Sequence, residues 1–439
     1  MPTFVPEPHL LDSPRGRPWP VAATGPRAHD ADPPARADVV VVGAGPAGLA
    51  VVSALWHQGV RDVVVVDPGA RPAERFFRRI DALGQRVLRS PYEHHPGVEG
   101  FRDCELLDFA RLHWGRLTAV ERREIRMAQS GHRSVVPVDV FEAYCHHLAV
   151  SHHVTGRMYR ATARSVDPGP DGVVVHTDRG RVATRFAVLC PGEERRPAPT
   201  SWWGGGPPPA GVGFWDEGVV HDGGPTVVVG AGLTAAHLVT GALEAGSRVR
   251  WVLRADQQRY QCADVNATFF RPEGRARFDG GDRARRLDLL RAQRRASIMF
   301  EFRPRLEAAE ADGRLTLHRG REVSSVTTGR VALADGTAVT GDRVVLALGT
   351  VFAPGAGLLP DEVVAAADGW PDLDPRTVSY ARAPRVLAVG AAAGMALGPS
   401  ARNIDGHRLA TARVATAVAE GLRRGHPLVP ADVPVAAGA

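Results

Sequence analysis

Val39-Val40-Val41-Val42-Gly43-Ala44-Gly45-Pro46-Ala47-Gly48, running on into the apolar-periodic stretch Ala47 to Trp56 and a second valine run from Val63 to Val66, decides the fold. Unbroken valines are the pattern of a parallel strand buried on both faces. The glycines then make a tight turn into a helix. Gly43 permits the turn, Gly45 lets backbone approach a pyrophosphate, and Gly48 lets helix and strand pack closely. Pro46 and Ala47 open the helix, whose first N–H groups and partial positive charge favour a phosphate. Asp67, at the end of the second strand, is placed to accept hydrogen bonds from ribose hydroxyls. Strand, glycines, helix, strand and acid arrive in order within about 30 residues, the length of one dinucleotide-binding unit. The alternative is an ordinary glycine-rich turn before a core helix.

The same grammar returns at Thr226 to Val229, Gly230-Ala231-Gly232-Leu233-Thr234-Ala235, a helix from about Thr234 to Glu244, and a strand from Arg248 to Arg254. Ala235 takes the third glycine's place, as the fingerprint tolerates. Asp67 stands 24 positions after Gly43, and Arg254 stands 24 positions after Gly230. A carboxylate there suits a free 2′-hydroxyl, whereas a planar, permanently charged guanidinium suits a 2′-phosphate. The first unit is therefore expected to bind the adenosine of FAD and the second that of NADPH. The alternative for Arg254 is a solvated strand-end arginine.

Strands are also expected at Arg164 to Val166, Gly172 to His176 and Arg181 to Leu189, the last ending at Pro191-Gly192. Arg343 to Leu348 with Gly349 repeats that ending, and Arg385 to Val389 runs into Gly390 and a helix from about Asn403 to Arg423. The expected class is α/β, two nested Rossmann-like dinucleotide-binding domains, with the FAD domain interrupted by the NADPH domain. In residue numbers this means an irregular proline-rich arm at 1–35, an FAD domain at 36–200 and 343–425, a linker at 201–223, an NADPH domain at 224–342 and a tail at 426–439. Residues 1–35 hold nine prolines and no apolar period, the mark of an irregular arm.

Composition excludes several function classes. All 54 basic residues are arginine, because the chain contains no lysine, which removes any mechanism that needs a lysine Schiff base or lysine general base. The arginines are dispersed among acids rather than gathered in an aromatic-laced stripe, so nucleic acid is not an expected partner. Cys104, Cys145, Cys190 and Cys262 form no Cys-x-x-Cys pair; neither a disulfide framework, nor a zinc site, nor electron transfer to a disulfide is suggested. No apolar run approaches the ~18 to 20 residues of a membrane span, and a cytoplasmic enzyme is expected.

Taken together, the two glycine motifs, Val87-Leu88-Arg89-Ser90-Pro91, Gly232-Leu233-Thr234-Ala235-Ala236-His237-Leu238 and Leu397-Gly398-Pro399-Ser400-Ala401-Arg402-Asn403 resemble the lysine/ornithine N-hydroxylase-like flavoproteins, within the class B flavin monooxygenases. The resemblance spans roughly 36–425. It implies an enzyme in which NADPH reduces FAD, oxygen adds at the flavin C4a position, and one oxygen atom passes to a nucleophilic nitrogen or sulfur of a small substrate. Placement and water exclusion are then the protein's share.

Two departures stand out. Where many flavoproteins of this architecture end the last strand in Gly-Asp, Gly390 is followed by Ala391, and Ser400, Arg402 or Asn403 are the expected substitutes. The aromatic-glycine-histidine signature of Baeyer–Villiger-type relatives is distorted between Gly213 and His221, which favours the N-hydroxylase side. Arg89 and Ser90 are the expected contacts to the isoalloxazine or nicotinamide. The alternative for that segment, His94 and His95 included, is a solvated loop. An NADPH-dependent reductase or oxidase, or a non-catalytic flavoprotein, would share the same cradles. No metal is expected, and a homo-oligomer is compatible with the sequence.

Overall fold

The computed structural model describes residues 6–20, 27–98, 105–218, 222–263, 265, 269, 272–293, 295–364 and 368–425. The expected tail from 426, together with Cys104 and His221, lies outside the described residues.

The first valine run forms β1 (Arg36–Val42), followed by α1 (Pro46–His57) and β2 (Val63–Asp67). β1 and β2 pair in parallel, Val41 opposite Val65 and Val42 opposite Val66. The chain continues through α2 (Glu74–Ala82), the two-residue β3 (Val87–Leu88), α3 (Leu106–Leu112), α4 (Ala119–Gln129), β4 (Val136–Pro137) and α5 (Val138–Ser151). Thr118 and Glu121 close a reciprocal capping box at the start of α4, so two of its orphan N–H groups are satisfied. β5 (Met158–Arg160) pairs with β2, and β6 (Ala163–Gly169) and β7 (Gly172–Thr177) form an antiparallel ribbon leading into β8 (Gly180–Leu189), which lies parallel to β1 on its other side.

β9 (Glu194–Arg195) carries the chain out to a second sheet. Its elements are β10 (Val212–Phe214), β11 (Thr226–Val229), α6 (Leu233–Glu244), β12 (Val249–Val252), α7 (Pro272–Asp279), α8 (Arg283–Gln293), α9 (Arg303–Ala311), β13 (Leu315–His318), an antiparallel layer of β14 (Val323–Thr327), β15 (Arg330–Leu333) and β16 (Ala338–Thr340), and β17 (Arg343–Leu346). The parallel sheet runs β10-β17-β11-β12-β13. Alternate residues of β11 serve opposite faces, as the strand period requires. Val228 packs with Leu238 and Leu306 of the helices, and Val227 and Val229 pack with Val326, Val331 and Val339 of the antiparallel layer. β18 (Thr350–Val351) returns antiparallel to β9. It is followed by α10 (Asp361–Val364), β19 (Ser379–Tyr380), β20 (Ala383–Ala388), α11 (Gly394–Leu397) and α12 (Ile404–Arg423), which complete the first sheet in the order β19-β20-β8-β1-β2-β5.

Two expected boundaries differ from these pairings. Arg343–Leu346 pairs with β11 and β10 in the second sheet rather than opening the return to the first, and Val212–Phe214, assigned to a linker, is that sheet's edge strand. The reason is symmetry. A glycine-bearing strand of this fold is flanked by a later parallel strand, and β17 is to β11 what β8 is to β1. The repeated strand ending was a sign of that equivalence.

The proline-rich arm is also built in. A 3₁₀ turn at Pro8–Asp12 buries Leu10 and Leu11 in the core of the second sheet's helical face. Arg17 then donates to Asp139 (2.7 Å) and Glu121 (2.6 Å), and Trp19 Nε1 donates to Asp139 (2.8 Å), in the first domain. Described residues 6–20 therefore strap the two domains together.

Candidate functional site

At the carboxyl end of β1 the turn residue Gly43 has φ +102°, and a Cβ there would stand 2.3 Å from the Cys190 carbonyl oxygen at the end of β8. A Cβ on Gly48 would meet the Gly43 carbonyl oxygen at 2.0 Å, so α1 is seated against its strand. Gly45 is the opposite case: its Cβ would meet nothing within 4 Å. Gly45 caps α1 without any side-chain hydrogen bond, leaving the first-turn N–H groups beyond Pro46 open. Close packing behind and free space in front are what a pyrophosphate at a helix N-terminus needs. Pro46, Ala47 and Gly48 form the buried first turn.

Asp67 accepts the N–H groups of Ala44 and Gly69, each at 2.7 Å. Burial raises its pKa while those two N–H donors hold it down. Each carboxylate oxygen keeps a further acceptor position for a hydroxyl.

The second cradle repeats this construction. Gly230 has φ +145°, and its Cβ would lie 2.3 Å from the Ala347 carbonyl oxygen at the end of β17. A Cβ on Gly232 would have only the Ala296 methyl near it, at 3.9 Å. Leu233 and Thr234 open α6, whose cap is likewise free of side-chain hydrogen bonds. Arg254, just beyond β12, is exposed and makes no ion pair or side-chain hydrogen bond among the described residues. Where Asp67 is folded back onto its own turn, the Arg254 guanidinium remains available.

Two residues past β20, Gly390 has φ +94° and open space about its Cβ, and Ala391 after it is buried. The three expected substitutes for the missing acid separate here. Ser400 is fully buried, and its Oγ has no hydrogen-bond partner among the described residues, which is a polar atom that a ligand would satisfy. Asn403 caps α12 by position but makes no side-chain cap bond. Arg402 is engaged elsewhere, donating to the Glu193 carboxylate and to Thr350 Oγ1 (2.7 Å). It ties the start of α12 to the crossing formed by β9 and β18.

Arg89 is 8% exposed and reaches the second domain, donating to Ser297 Oγ at 3.1 Å and to the Ser297 carbonyl at 2.6 Å. Ser90 beside it is half-buried. The segment is not a solvated loop: Tyr92 and His95 are buried, and the Tyr144 hydroxyl lies 3.4 Å from His95 Nδ1. Sequence reasoning missed Glu193, Thr350 and Asp216, which form the charged crossing where Arg79 donates to the Glu193 carbonyl (2.7 Å) and to Asp216 (3.4 Å). The signal for Glu193 was its place directly after Pro191-Gly192, at the strand end beside the first cradle.

No protein-family model and no curated protein sequence matches the chain. Solved structures do. An ornithine hydroxylase of Pseudomonas aeruginosa superposes with a TM-score of 0.69 at 18% identity, covering 88% of this chain and 99% of that one. The ornithine N-hydroxylase of Kutzneria sp. 744, whose structure holds reduced FAD, NADP⁺ and L-ornithine, gives 0.68 at 17% identity over 89% and 99%. The bacillithiol disulfide reductase of Bacillus cereus gives 0.58 at 16% identity over 88% and 99%. At these identities the likeness establishes the fold, α/β with two nested dinucleotide-binding domains, which these hydroxylases and this reductase share with the present chain.

Proposed function

We propose that the chain is an FAD- and NADPH-dependent monooxygenase that hydroxylates a nucleophilic nitrogen of a small amine or amino acid, with molecular oxygen as co-substrate, in the cytoplasm. The observation that carries the reading is the pair of matching cradles, with Asp67 ending the strand after the first turn and Arg254 exposed just past the strand after the second, one position beyond Leu253, which the strand register matches to Asp67. Asp67 suits the ribose of FAD and Arg254 the 2′-phosphate of NADPH. Higher TM-scores to ornithine hydroxylases than to a disulfide reductase favour oxygen transfer over disulfide reduction. The cysteines agree: Cys145 and Cys190 are buried, and burial pushes both thiols up, away from the reactive thiolate. Among the described residues no helix is long and apolar enough to cross a membrane.

Bound in these cradles, the two cofactors would supply the hydride and oxygen chemistry. The chain's own part is placement. The N–H groups opening α1 and α6 would hold the pyrophosphates, Asp67 and Arg254 would meet the adenosine ends, and Ser400 and Asn403 would offer polar atoms at the start of α12. Arg89, by gripping Ser297, ties the segment after α2 to the second domain.

The test is product analysis. Protein reconstituted with FAD is given NADPH, ¹⁸O₂ and a panel of ornithine, lysine, diamines, primary amines and thiols, and products are weighed by mass spectrometry while peroxide is titrated. A product carrying one ¹⁸O per NADPH consumed is expected from an amine. Peroxide stoichiometric with NADPH and no labelled product would move the chain to the reductase or oxidase class.

A further inference from the structure

The chain leaves the first domain and returns to it through β9 and β18, two antiparallel strands of two residues each, with Thr350 opposite Arg195 and Val351 opposite Glu194. A ribbon that narrow has the form of a hinge, and two domains move against each other unless their interface is broad and apolar. Here the interface is apolar. Leu10 and Leu11 of the arm, Val87 of β3 and Val135 before β4 share one core with Leu238 of α6 and Phe302. Three separate stretches outside the second domain therefore complete its helical face.

The other half of the arm is anchored on the first domain. Arg17 meets Glu121 of α4 with two bonds, at 2.6 and 3.0 Å, and donates from Nε to Asp139 of α5 at 2.7 Å. Asp139 also accepts the Gly16 N–H and Trp19 Nε1–H, both at 2.8 Å. The Glu121 side chain is fully buried, and its ion pair among the described residues is with Arg17. Removing that guanidinium strips a buried carboxylate of its counter-charge, which costs far more than losing a surface pair.

Leu11 and Arg17 are six positions apart, a reach of about 20 Å at full extension. A swing of the second domain that outruns this tether must draw the leucines out of one core or Arg17 out of its carboxylates. Both ends resist.

We propose that Arg17 is a positioning residue: through Glu121 and Asp139 it clasps the arm, and through the arm it holds the second domain in one docked orientation, so that the chain turns over without a domain swing. The kinetic part rests on the monooxygenase reading, in which a hydride, two electrons and a proton, passes from nicotinamide to FAD and leaves NADP⁺. Misplacing such partners by about 1 Å costs about a hundredfold. Arg17 belongs to neither cradle, so its loss should slow the transfer without weakening nucleotide binding.

Peptide-resolved hydrogen exchange on the full chain, as purified, tests the clasp. Peptides spanning residues 298–306 of the second domain hold none of Arg17's partners, yet in Arg17→Met they are expected to exchange at least tenfold faster than in the parent. Trp19→Phe, which keeps a ring and removes one donor to Asp139, should quicken them at least threefold, and it serves if the first variant does not fold. Val331→Ala, in the antiparallel layer, should melt earlier than the parent with those peptides unchanged. Anaerobic stopped-flow at saturating NADPH then reads flavin reduction. It is expected to be at least tenfold slower in Arg17→Met, with the half-saturating NADPH concentration within twofold of the parent's, and parental in Val331→Ala.

Unaltered exchange at 298–306 in both arm variants would overturn the clasp, as would equal acceleration in Val331→Ala. Faster exchange with a parental reduction rate would overturn the positioning role. If NADPH reduces no flavin even in the parent, the monooxygenase reading fails, and the exchange data still decide whether Arg17 docks the domains.

Discussion

The Arg89 guanidinium, on a segment of the first domain, closes on Ser297 of the second, 208 positions later, donating to its hydroxyl at 3.1 Å and to its carbonyl at 2.6 Å. The two bonds differ in what a mutation can remove. Ser297→Ala deletes one acceptor and should lower unfolding stability by about 1 kcal/mol, whereas Arg89→Met strands the carbonyl as well and should cost about 3 kcal/mol. Urea unfolding midpoints order the pair. Midpoints equal to the parent's for both variants would show that the bridge does not form in solution.

Gly43 and Gly45 lie two residues apart and should fail in different ways. A Cβ at Gly43 meets the Cys190 carbonyl oxygen at 2.3 Å, while one at Gly45 meets nothing within 4 Å. Gly45→Val is therefore expected to give a folded protein with the thermal stability of the FAD-free parent and no bound FAD, its side chain standing where phosphate would lie. Gly43→Ala is expected to melt earlier whether or not FAD is supplied. Stoichiometric FAD in the Gly45 variant would refute the cradle.

Arg254, exposed and unpaired among the described residues, should discriminate between nicotinamide cofactors. A charge-assisted hydrogen bond is worth about 1.5 to 3 kcal/mol, so Arg254→Ala should lose about ten- to hundredfold in kcat/KM for NADPH. Values for NADH should barely move. Equal losses with both nucleotides would make Arg254 a structural residue.

His237 should make stability depend on pH. Burial, with Arg89 nearby, lowers its pKa to about 3 in the folded protein, against about 6.5 in the unfolded chain. Between those values the unfolded chain holds a proton that the folded one does not. The favourable contribution of the neutral ring is thus complete above about pH 6.5 and is lost as pH falls toward 3, by about 1.4 kcal/mol per pH unit. Denaturation curves of the parent and of His237→Phe should diverge over the upper part of that range. Parallel pH profiles would contradict the assignment.

The cradles were legible because the tight strand-to-helix turn brings carbonyl oxygens against Gly43 and Gly48, where only glycine fits, so the demand is written in residue type. The 24-residue spacing of Asp67 and Arg254 was legible by counting, but the register pairs Val66 and Val252 with their glycine-bearing strands alike, so the match to Asp67 is Leu253 and Arg254 lies one position beyond it. Strand membership was harder. Arg343–Leu346 has the same apolar composition whichever sheet it joins, and only its pairing with Thr226–Val229 assigns it. The arm was hidden by its prolines, because two leucines and three arginine and tryptophan anchors carry it without any period to read. Arg402 illustrates a further limit: the resemblance offers it as one of three candidates to replace the missing acid, but only geometry shows that Glu193 holds it.

The nesting of one domain inside the other sets an order of manufacture. Val386 of β20 pairs with Ala187 of β8, 199 positions earlier, whereas every strand of the second sheet lies between Val212 and Leu346. At ~5 to 20 residues per second, a ribosome needs about 10 to 40 s to deliver the missing partner. Through that interval the nascent chain can finish its inner domain while one edge of β8, Ala187 to Leu189, stands unpaired, and such an apolar edge is a template for association with other chains. Polypeptides truncated between 346 and 383 would carry that open edge permanently.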